Sequence, residues 1–493
     1  MAPVTVKIEG DMAWVTIDNP PVNATSTAVR AGLLDAVRQV QSCRLAVLRG
    51  AGRTFVAGGD MGEFDRPPEE PHLPDIVDAI ESSDTPFLAL LHGSVLGGGF
   101  EIALGCPWRI AAPGTRFGLP EVNVGLVPGA GGTQRAPRLL GWAASVDMAC
   151  RSRMLDAAEM LDLGGIDRIE DDLETTACAF DAPRPTAISA RTAPPLDPDW
   201  AEDTRCAIAA KAKGQAAPLH AFEALTWAKL PFSNGQPKER KLHLGLRQSD
   251  ESRALRHVFF AERAVTKPAA IRDGIARDIA HVAVVGGGLM GTGIAAACLN
   301  AGLRVSLVEQ DKAAAAAAQD RVAGLLAGAL KRGKIGQVAH DAQLEAFSTG
   351  AGHAAATDAD LAIEAIFEDV TAKRAVFADL QAAMRPDAML ATNTSYLDPR
   401  DIFADIPDQT RCLGLHFFAP AHIMRLLEVV RLPGTSADTL ATAFTLAKRL
   451  RKVPVLSGIC DGFIGNRMLA AYRRAAEYML ADGALPWDVD AAM

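Results

Sequence analysis

HVAVVGGGLMGTGIAAACLNAGLRVSLVE, residues 281–309, is the stretch on which the reading of the fold turns. HVAVV is a short apolar run, GGGLMG a glycine-rich turn, and TGIAAACLNAG a helix-length segment of small residues. RVSLV is a second β run, closed by Glu309. Strand, turn, helix and strand in that order make a βαβ unit, whose two strands run parallel. Gly286, Gly288 and Gly291 satisfy G-x-G-x-x-G, with Leu289 and Met290 opening the helix. The first glycine permits a tight turn, the second lets a pyrophosphate approach, and the third packs helix on strand. Glu309 lies eighteen residues past Gly291. A carboxylate there accepts hydrogen bonds from a ribose 2′-OH and repels a 2′-phosphate, which favours NAD over NADP.

Downstream the alternation continues through the β runs DLAIEAI, AMLATNT, CLGLHFF and LLEVVRL, with helices between them. The AAAAAA run at 313–318 reads as helix, because alanine has the best helix propensity. After VPVLSG come Asp461-Gly462-Phe463 and one helix, IGNRMLAAYRRAAEYMLA. Upstream, residues 4–17 alternate as two paired strands around a Gly10–Asp11 turn. A helical pattern over about Ser26–Gln41 follows, then LAVLRG, a helix near 73–83, PFLALLHG, a glycine turn, another helix and RIAAP. This is layered α/β organisation. Between about 185 and 280 the character changes. A Pro-rich connection precedes helical spacing with the basic run Lys238, Arg240, Lys241, Arg247, Arg253 and Arg256. Such a run predicts a solvated helix face packing between domains.

The 493 residues are too many for one core and predict about three units. Hydrophobic residues at 49% against 22% charged exclude a mainly disordered chain. Fifty Lys+Arg against 59 Asp+Glu leave a charge of −9, which argues against a general nucleic-acid or membrane-surface binder. The eight cysteines are scattered without C-x-x-C, and the ten histidines show no H-x-x-x-H. The cysteines read as reduced, and no metal is expected. MAPVTVKIEGDMAWV has no long apolar core and predicts no signal peptide. Phe87–Cys106 holds His92, Glu101 and five glycines, a poor membrane span. The expectation is a soluble, cytoplasmic, multidomain α/β protein, with a peroxisomal setting also open.

Three N-terminal segments belong together: FVAGGDMGEF (55–64), HGSVLGGGFEIALGC (92–106) and FGLPEVNVGLVPGAGGTQR (117–135). Glycines after strands free backbone N–H groups to meet a ligand oxygen, and Gly97-Gly98-Gly99 opens a helix at its positive end. With the upstream NPPVNA, these segments resemble the crotonase (enoyl-CoA hydratase/isomerase) family, in order, over about the first 190 residues. The resemblance implies that the amides of Gly59 and Gly98 polarise the thioester carbonyl of an acyl-CoA. It makes Glu101 and Glu121 the two hydratase glutamates. Two carboxyls on one water can exchange donor and acceptor roles as oxygen goes to C3 and a proton to C2. One glutamate shuttling a proton between C2 and C4 would add an isomerase side activity.

From residue 281 onward the chain resembles the 3-hydroxyacyl-CoA dehydrogenase family, carried by NTS (393–395), GLHFFAP (414–420), LLEVV (426–430) and DGFIGNR (461–467). By that resemblance His416 is the base for the 3-hydroxyl proton and Glu428 its partner carboxylate. Ser395 and Asn466 become polar contacts around substrate oxygen and nicotinamide, and Glu368 an acidic residue near the cofactor. The family pattern H-F-F-N-P here carries Ala419 for the asparagine. Either the site is reshaped or the oxidation step is weakened. Lys331, Arg332 and Lys334 read as an exposed helix end, with CoA phosphates as the alternative.

The two resemblances follow the order of fused β-oxidation enzymes. They imply a crotonase-like (ββα repeat) hydratase domain at 1–190 and a helical linker at 191–278. A Rossmann-type NAD-binding domain at 279–458 and an all-α C-terminal domain from 459, here only its first helix, complete the expectation. The chain therefore reads as ending early. The rivals are a hydratase with a weak dehydrogenase and a CoA-thioester-binding assembly subunit. Implied partners are acyl-CoA thioesters, with a thiolase subunit or a second copy of the chain beyond them.

Overall fold

A computed structural model describes residues 2–493. The chain forms two compact units that divide after Phe259, inside the stretch read from sequence as a linker.

The first unit opens with the hairpin β1 (Val4–Glu9) and β2 (Met12–Ile17), paired antiparallel from Val4↔Ile17 to Glu9↔Met12. There follow β3 (Leu45–Gly50), β4 (Phe87–Leu91), β5 (Ser94–Leu96), β6 (Trp108–Ala111), β7 (Arg116–Gly118), β8 (Leu155–Asp156) and β9 (Arg168–Ile169). The main sheet runs β1-β2-β3-β4-β6-β9, parallel beyond the hairpin, and β5-β7-β8 form a small second sheet. β4, FLALL, is buried along its whole length, as a strand covered on both faces must be. Helices Pro198–Ala212 and Ala217–Thr226 belong to this unit: Ile208, Ala217, Ala221, Phe222 and Leu225 join its apolar core.

The helix Phe232–Arg247 corrects the reading of the basic run. Lys238, Lys241 and Arg253 are exposed, but Arg247 and Arg256 are buried. The buried face of Phe232–Arg247 consists of Gly235, Glu239, His243 and Arg247, spaced four apart on one stripe. The Phe64 ring lies against His243 and Arg247 of this stripe. Its polar side chains meet backbone, as described below.

The second unit carries β10 (His281–Val285), β11 (Arg304–Glu309), β12 (Phe347–Ala351), β13 (Leu361–Glu364), β14 (Met389–Thr392), β15 (Cys412–Phe417), β16 (Leu426–Val430) and β17 (Val453–Ser457). Their order is β12-β11-β10-β13-β14-β15-β16-β17. Only β15–β16 pair antiparallel. The order reverses between β10 and β13, so a crevice opens at their carboxyl ends, where such sheets hold ligands. The helix Leu289–Asn300 lies against the sheet with Gly291 through Leu299 all buried, as its small residues allow. The alanine run lies in the helix Lys312–Lys331, capped by Asp311. The C-terminal segment holds two helices, Gly465–Ala481 and Pro486–Ala492, where the sequence reading had one. Proline at the start of the second suits a helix N-terminus.

Candidate active sites

The first site forms where the segments after β3, β5 and β7 converge. Parallel bridges join Thr25 to Gly59 and Val56 to Val95. The NPPVNA stretch acts through Asn23, whose side-chain amide donates to the carbonyls of Ala51, Thr54 and Phe55 and so fixes the loop after β3. Gly98 begins the helix Gly98–Gly105. A Cβ on Gly98 would lie 3.8 Å from the Gly59 nitrogen, so the two peptides face one small space.

Glu101 sits one turn into that helix and is 3% exposed. Its Oε1 accepts the amides of Ala130 (2.7 Å) and Gly132 (2.9 Å). Burial raises its pKa against the pull of these donors. Glu121 starts a 3₁₀ turn, Glu121–Val124. Its Oε2 is buried with no hydrogen-bond partner. Its Oε1 faces Gly97, where a Cβ would come within 2.7 Å and where φ is +51°, so glycine is required twice over. Burial, then the charge of Glu101, hold the Glu121 carboxyl well above the usual range. The site thus pairs an anchored carboxyl with an unanchored one, and the pair favours a shared proton over two charges.

Sequence reasoning missed what lies behind this pair. Glu239, fully buried, accepts the amides of Gly131 (2.6 Å) and Thr133 (2.8 Å) and contacts the Thr133 hydroxyl. His243 Nδ1 lies 2.7 Å from the Val127 carbonyl oxygen, and burial pushes its pKa down to about 4. Arg247 donates to the carbonyls of Glu63, Phe64 and Arg66, and its guanidinium stacks on the Phe64 ring. Phe64 in turn lies against Gly59. One helix therefore grips both walls of the site. The signal available was the Gly235/Glu239/His243/Arg247 spacing of four.

The second unit presents the glycine turn at the crevice. A Cβ on Gly291 would sit 1.7 Å from the Gly286 carbonyl oxygen, whereas one on Gly288 would meet nothing within 4 Å. The turn is therefore closed on its inner side and open on the side where a pyrophosphate approaches. Leu289 is 74% exposed, leaving the first-turn amides of its helix unobstructed. Glu309 Oε1 accepts the Gly287 amide (2.6 Å), which draws the carboxylate up to the turn. These features fit an NAD cofactor. Lys331, Arg332 and Lys334 are exposed at a helix end.

Antiparallel register sets His416 directly opposite Glu428. His416 Nδ1 and Glu428 Oε2 are 2.6 Å apart, and both residues are buried. Glu428 Oε1 accepts the amides of Ile464 (3.1 Å) and Gly465 (2.7 Å) at the start of the helix Gly465–Ala481. DGFIGNR is thus the segment that anchors the carboxylate, and Asn466 follows it half-buried. Phe418 and Phe463 pack beside the imidazole. Ser395 lies in the turn after β14; its amide donates to Glu368 Oε1 (2.8 Å), as do the Tyr396 amide and the Thr394 hydroxyl. Burial would raise the Glu368 pKa, but these donors outweigh it and hold it low. A buried Lys373–Glu364 pair (2.6 Å), absent from the sequence reading, lies behind Glu368, with the Lys373 ammonium 3.3 Å from that carboxylate. Ala419 is exposed in the turn after β15.

Fold and sites define an acyl-CoA-type hydratase unit joined to an NAD-binding dehydrogenase unit. Residues 7–181 match the enoyl-CoA hydratase/isomerase family, and residues 281–460 the NAD-binding domain of 3-hydroxyacyl-CoA dehydrogenase. The chain is 37% identical over 99% of its length to a peroxisomal bifunctional enzyme of Danio rerio, covering 69% of that protein. It is 34% identical to a glyoxysomal fatty acid β-oxidation multifunctional protein of Cucumis sativus, over 98% of this chain and 70% of that one. Among solved structures it is similar to an (S)-3-hydroxybutyryl-CoA dehydrogenase from Ralstonia eutropha, with 30% identity and a TM-score of 0.42 over 43% of this chain and 75% of that one. The chain belongs to the family of bifunctional enzymes that fuse enoyl-CoA hydratase to 3-hydroxyacyl-CoA dehydrogenase. NAD is the cofactor of its second unit. No helix among the described residues is long and apolar enough to cross a membrane.

Proposed function

We propose that the first unit hydrates trans-2-enoyl-CoA to (S)-3-hydroxyacyl-CoA and the second oxidises that product with NAD⁺ to 3-ketoacyl-CoA. The observation that carries the reading is the buried carboxyl pair: Glu101 tied to two amides, Glu121 with Oε2 unpartnered. The amides of Gly59 and Gly98 hold the thioester oxygen as enolate charge grows, a donor role typically worth about 10²–10³ in rate. Glu121 and Glu101 share the water, one receiving its proton as oxygen attacks C3, the other giving a proton to C2.

In the second unit NAD⁺, when bound, would supply the hydride acceptor. Gly286, Gly288, Leu289, Met290 and Gly291 would hold its pyrophosphate, and Glu309 its ribose. Glu428 fixes the proton of His416 on Nδ1, which leaves Nε2 free to take the hydroxyl proton. Ser395 and Asn466 contact the substrate oxygen and nicotinamide, and Glu368 holds the turn that carries Ser395. We take residues 1–190 and 279–458 as the two catalytic domains, 191–278 as the connection, and 459–493 as the opening of a helical domain. Fusion keeps the intermediate near its second site. The product is a substrate for thiolytic cleavage, which points to a thiolase subunit as partner or to a second copy of the chain. We place the protein in the cytoplasm, and cell fractionation tests that placement.

Crotonyl-CoA tests the chemistry. Loss of enoyl absorbance is expected on adding protein, and NADH on then adding NAD⁺. No loss of absorbance beyond that of a Glu121→Gln control would sink the hydratase reading. 3-Hydroxybutyryl-CoA supplied directly with NAD⁺ separates a weak dehydrogenase from a failed first step.

A further inference from the structure

Four successive amides, from Ala130 to Thr133, lead into the helix Gly132–Arg151, and two carboxylates hold them alternately. Glu101 takes Ala130 and Gly132 on Oε1. Glu239 takes Gly131 on Oε1 and Thr133 on Oε2. The two acids come from different helices, Gly98–Gly105 and Phe232–Arg247, and approach the loop from two sides. Neither carboxylate can move without the loop, and the loop cannot move without both.

We propose that Glu239 is a positioning residue of the hydration step: by holding Gly131 and Thr133 it fixes the loop whose other two amides hold Glu101. The proposal rests on the hydratase reading above for its kinetic consequence, and on geometry alone for its structural one. Glu239 is fully buried and has no route to a thioester of its own, since both its oxygens are engaged by the loop.

Its charge matters as well as its place. The charged or titratable groups around it are Glu101 from the Gly98–Gly105 helix, Glu121 from its 3₁₀ turn, and Arg240 on its own helix. His243 lies on the same helix one turn on, and Arg135 lies in the Gly132–Arg151 helix beside the loop. Three buried carboxyls in one place do not all ionise. Burial, then the charge of Glu101, raise Glu239 to about 8. Ionising Glu239 adds a negative charge beside Glu101, and does so well above the usual carboxyl range.

The test compares Glu239→Gln and Glu239→Ala in the full chain, with two readouts. The first is amide hydrogen exchange of the peptide spanning residues 127–134, which needs no activity. Faster exchange is expected in the Ala variant and an intermediate rate in Gln, which keeps one acceptor. Unchanged exchange in the Ala variant overturns the proposal, whether or not the wild type hydrates crotonyl-CoA. The second is the pH profile of kcat and KM on crotonyl-CoA. A 1 Å misplacement near a reacting group costs about 10²-fold, so kcat is expected to fall about 10²-fold in Ala and less in Gln. KM should stay within about twofold of wild type, and the alkaline change near pH 8 should vanish in both variants. A merely structural role would lower the melting temperature yet leave that alkaline change in place. That result also overturns the proposal. Wild-type inactivity on crotonyl-CoA would instead sink the hydratase reading and leave the exchange result standing.

Discussion

Replacing Glu428 with Gln probes the dehydrogenase base with one atom's change. The carboxylate now serves three donors: Nδ1–H of His416 on Oε2, and the Ile464 and Gly465 amides on Oε1. Glutamine offers one acceptor and one donor, so it cannot accept hydrogen bonds on both sides as the carboxylate does. If its oxygen turns to the two amides, His416 meets an N–H and must carry its own proton on Nε2. The amides are fixed in a helix start, and hydrogen bonds between neutral groups are worth about 0.5–1.5 kcal/mol each. Two against one favours the amides by about 0.5–1.5 kcal/mol, which leaves roughly a third to a tenth of the protein in the base-competent tautomer. Loss of the charge that stabilises the imidazolium adds to this, so kcat should fall about 10²–10⁴-fold, the range of positioned acid–base catalysis. The assay is NADH formation from (S)-3-hydroxybutyryl-CoA, with crotonyl-CoA hydration in the same sample as an internal control of folding. A kcat within about threefold of wild type, with hydration intact, would refute the claim that Glu428 sets the tautomer.

The other expectations are shorter. Glu121→Gln should cost hydration about 10²–10⁴-fold while leaving oxidation of supplied 3-hydroxybutyryl-CoA unchanged; equal loss of both activities would mean the substitution acts on folding. Gly291→Ala puts a methyl carbon where 1.7 Å separates it from the Gly286 carbonyl oxygen; NADH titrated by fluorescence should no longer bind, and wild-type affinity would show that the turn is misread. Glu239 has its pKa raised from 4.5 to about 8 in the folded state, so between those pH values the folded chain holds a proton that the unfolded chain has lost. Its contribution to stability therefore falls as pH rises through that window, by up to about 1.4 kcal/mol per pH unit. Glu239→Gln lacks this slope, and urea midpoints of the two proteins that run parallel from pH 5 to 8 would contradict it.

Much of this was legible in the sequence because the features are written in glycine and in apolar period. HVAVVGGGLMG gave strand, turn and helix without ambiguity, whereas Glu101 and Glu121 were singled out by the family resemblance. The family resemblance is matched by both halves of the chain. What stayed hidden was polar burial. Glu239, His243 and Arg247 look like one side of a solvated helix, since a pattern of charges is ordinarily an outside face. Their partners are the carbonyls and amides of loops far away in sequence, at Val127, Gly131 and Glu63. Backbone groups are the same for every residue type, so no pattern of side chains reveals them. The Lys373–Glu364 pair was hidden for a related reason. A lysine on a helix and a glutamate ending a strand are ordinary surface choices until the fold closes over both.

The same device recurs at five of the six carboxylates given a role in the proposed reactions, and Glu121 is the exception. Glu101 is held by Ala130 and Gly132, Glu239 by Gly131 and Thr133, Glu309 by Gly287, Glu368 by Ser395 and Tyr396, and Glu428 by Ile464 and Gly465. Backbone donors compensate a buried acid and fix its side chain in place, whether or not a cation lies nearby, as the Lys373 ammonium does beside Glu368. That accounts for two anionic ligands, a CoA thioester and a dinucleotide, being assigned to a chain with a charge of −9: amides and helix starts do the work that a basic surface would do elsewhere. Among these six acids Glu121 alone has a buried oxygen with no donor. An unsatisfied buried carboxyl oxygen costs about 1–3 kcal/mol, and a fold that satisfies five other acids from its backbone leaves this one open. In the hydration proposed above, the water bound for C3 is the partner that completes it, and Glu121 and Glu101 together exchange the protons of that step.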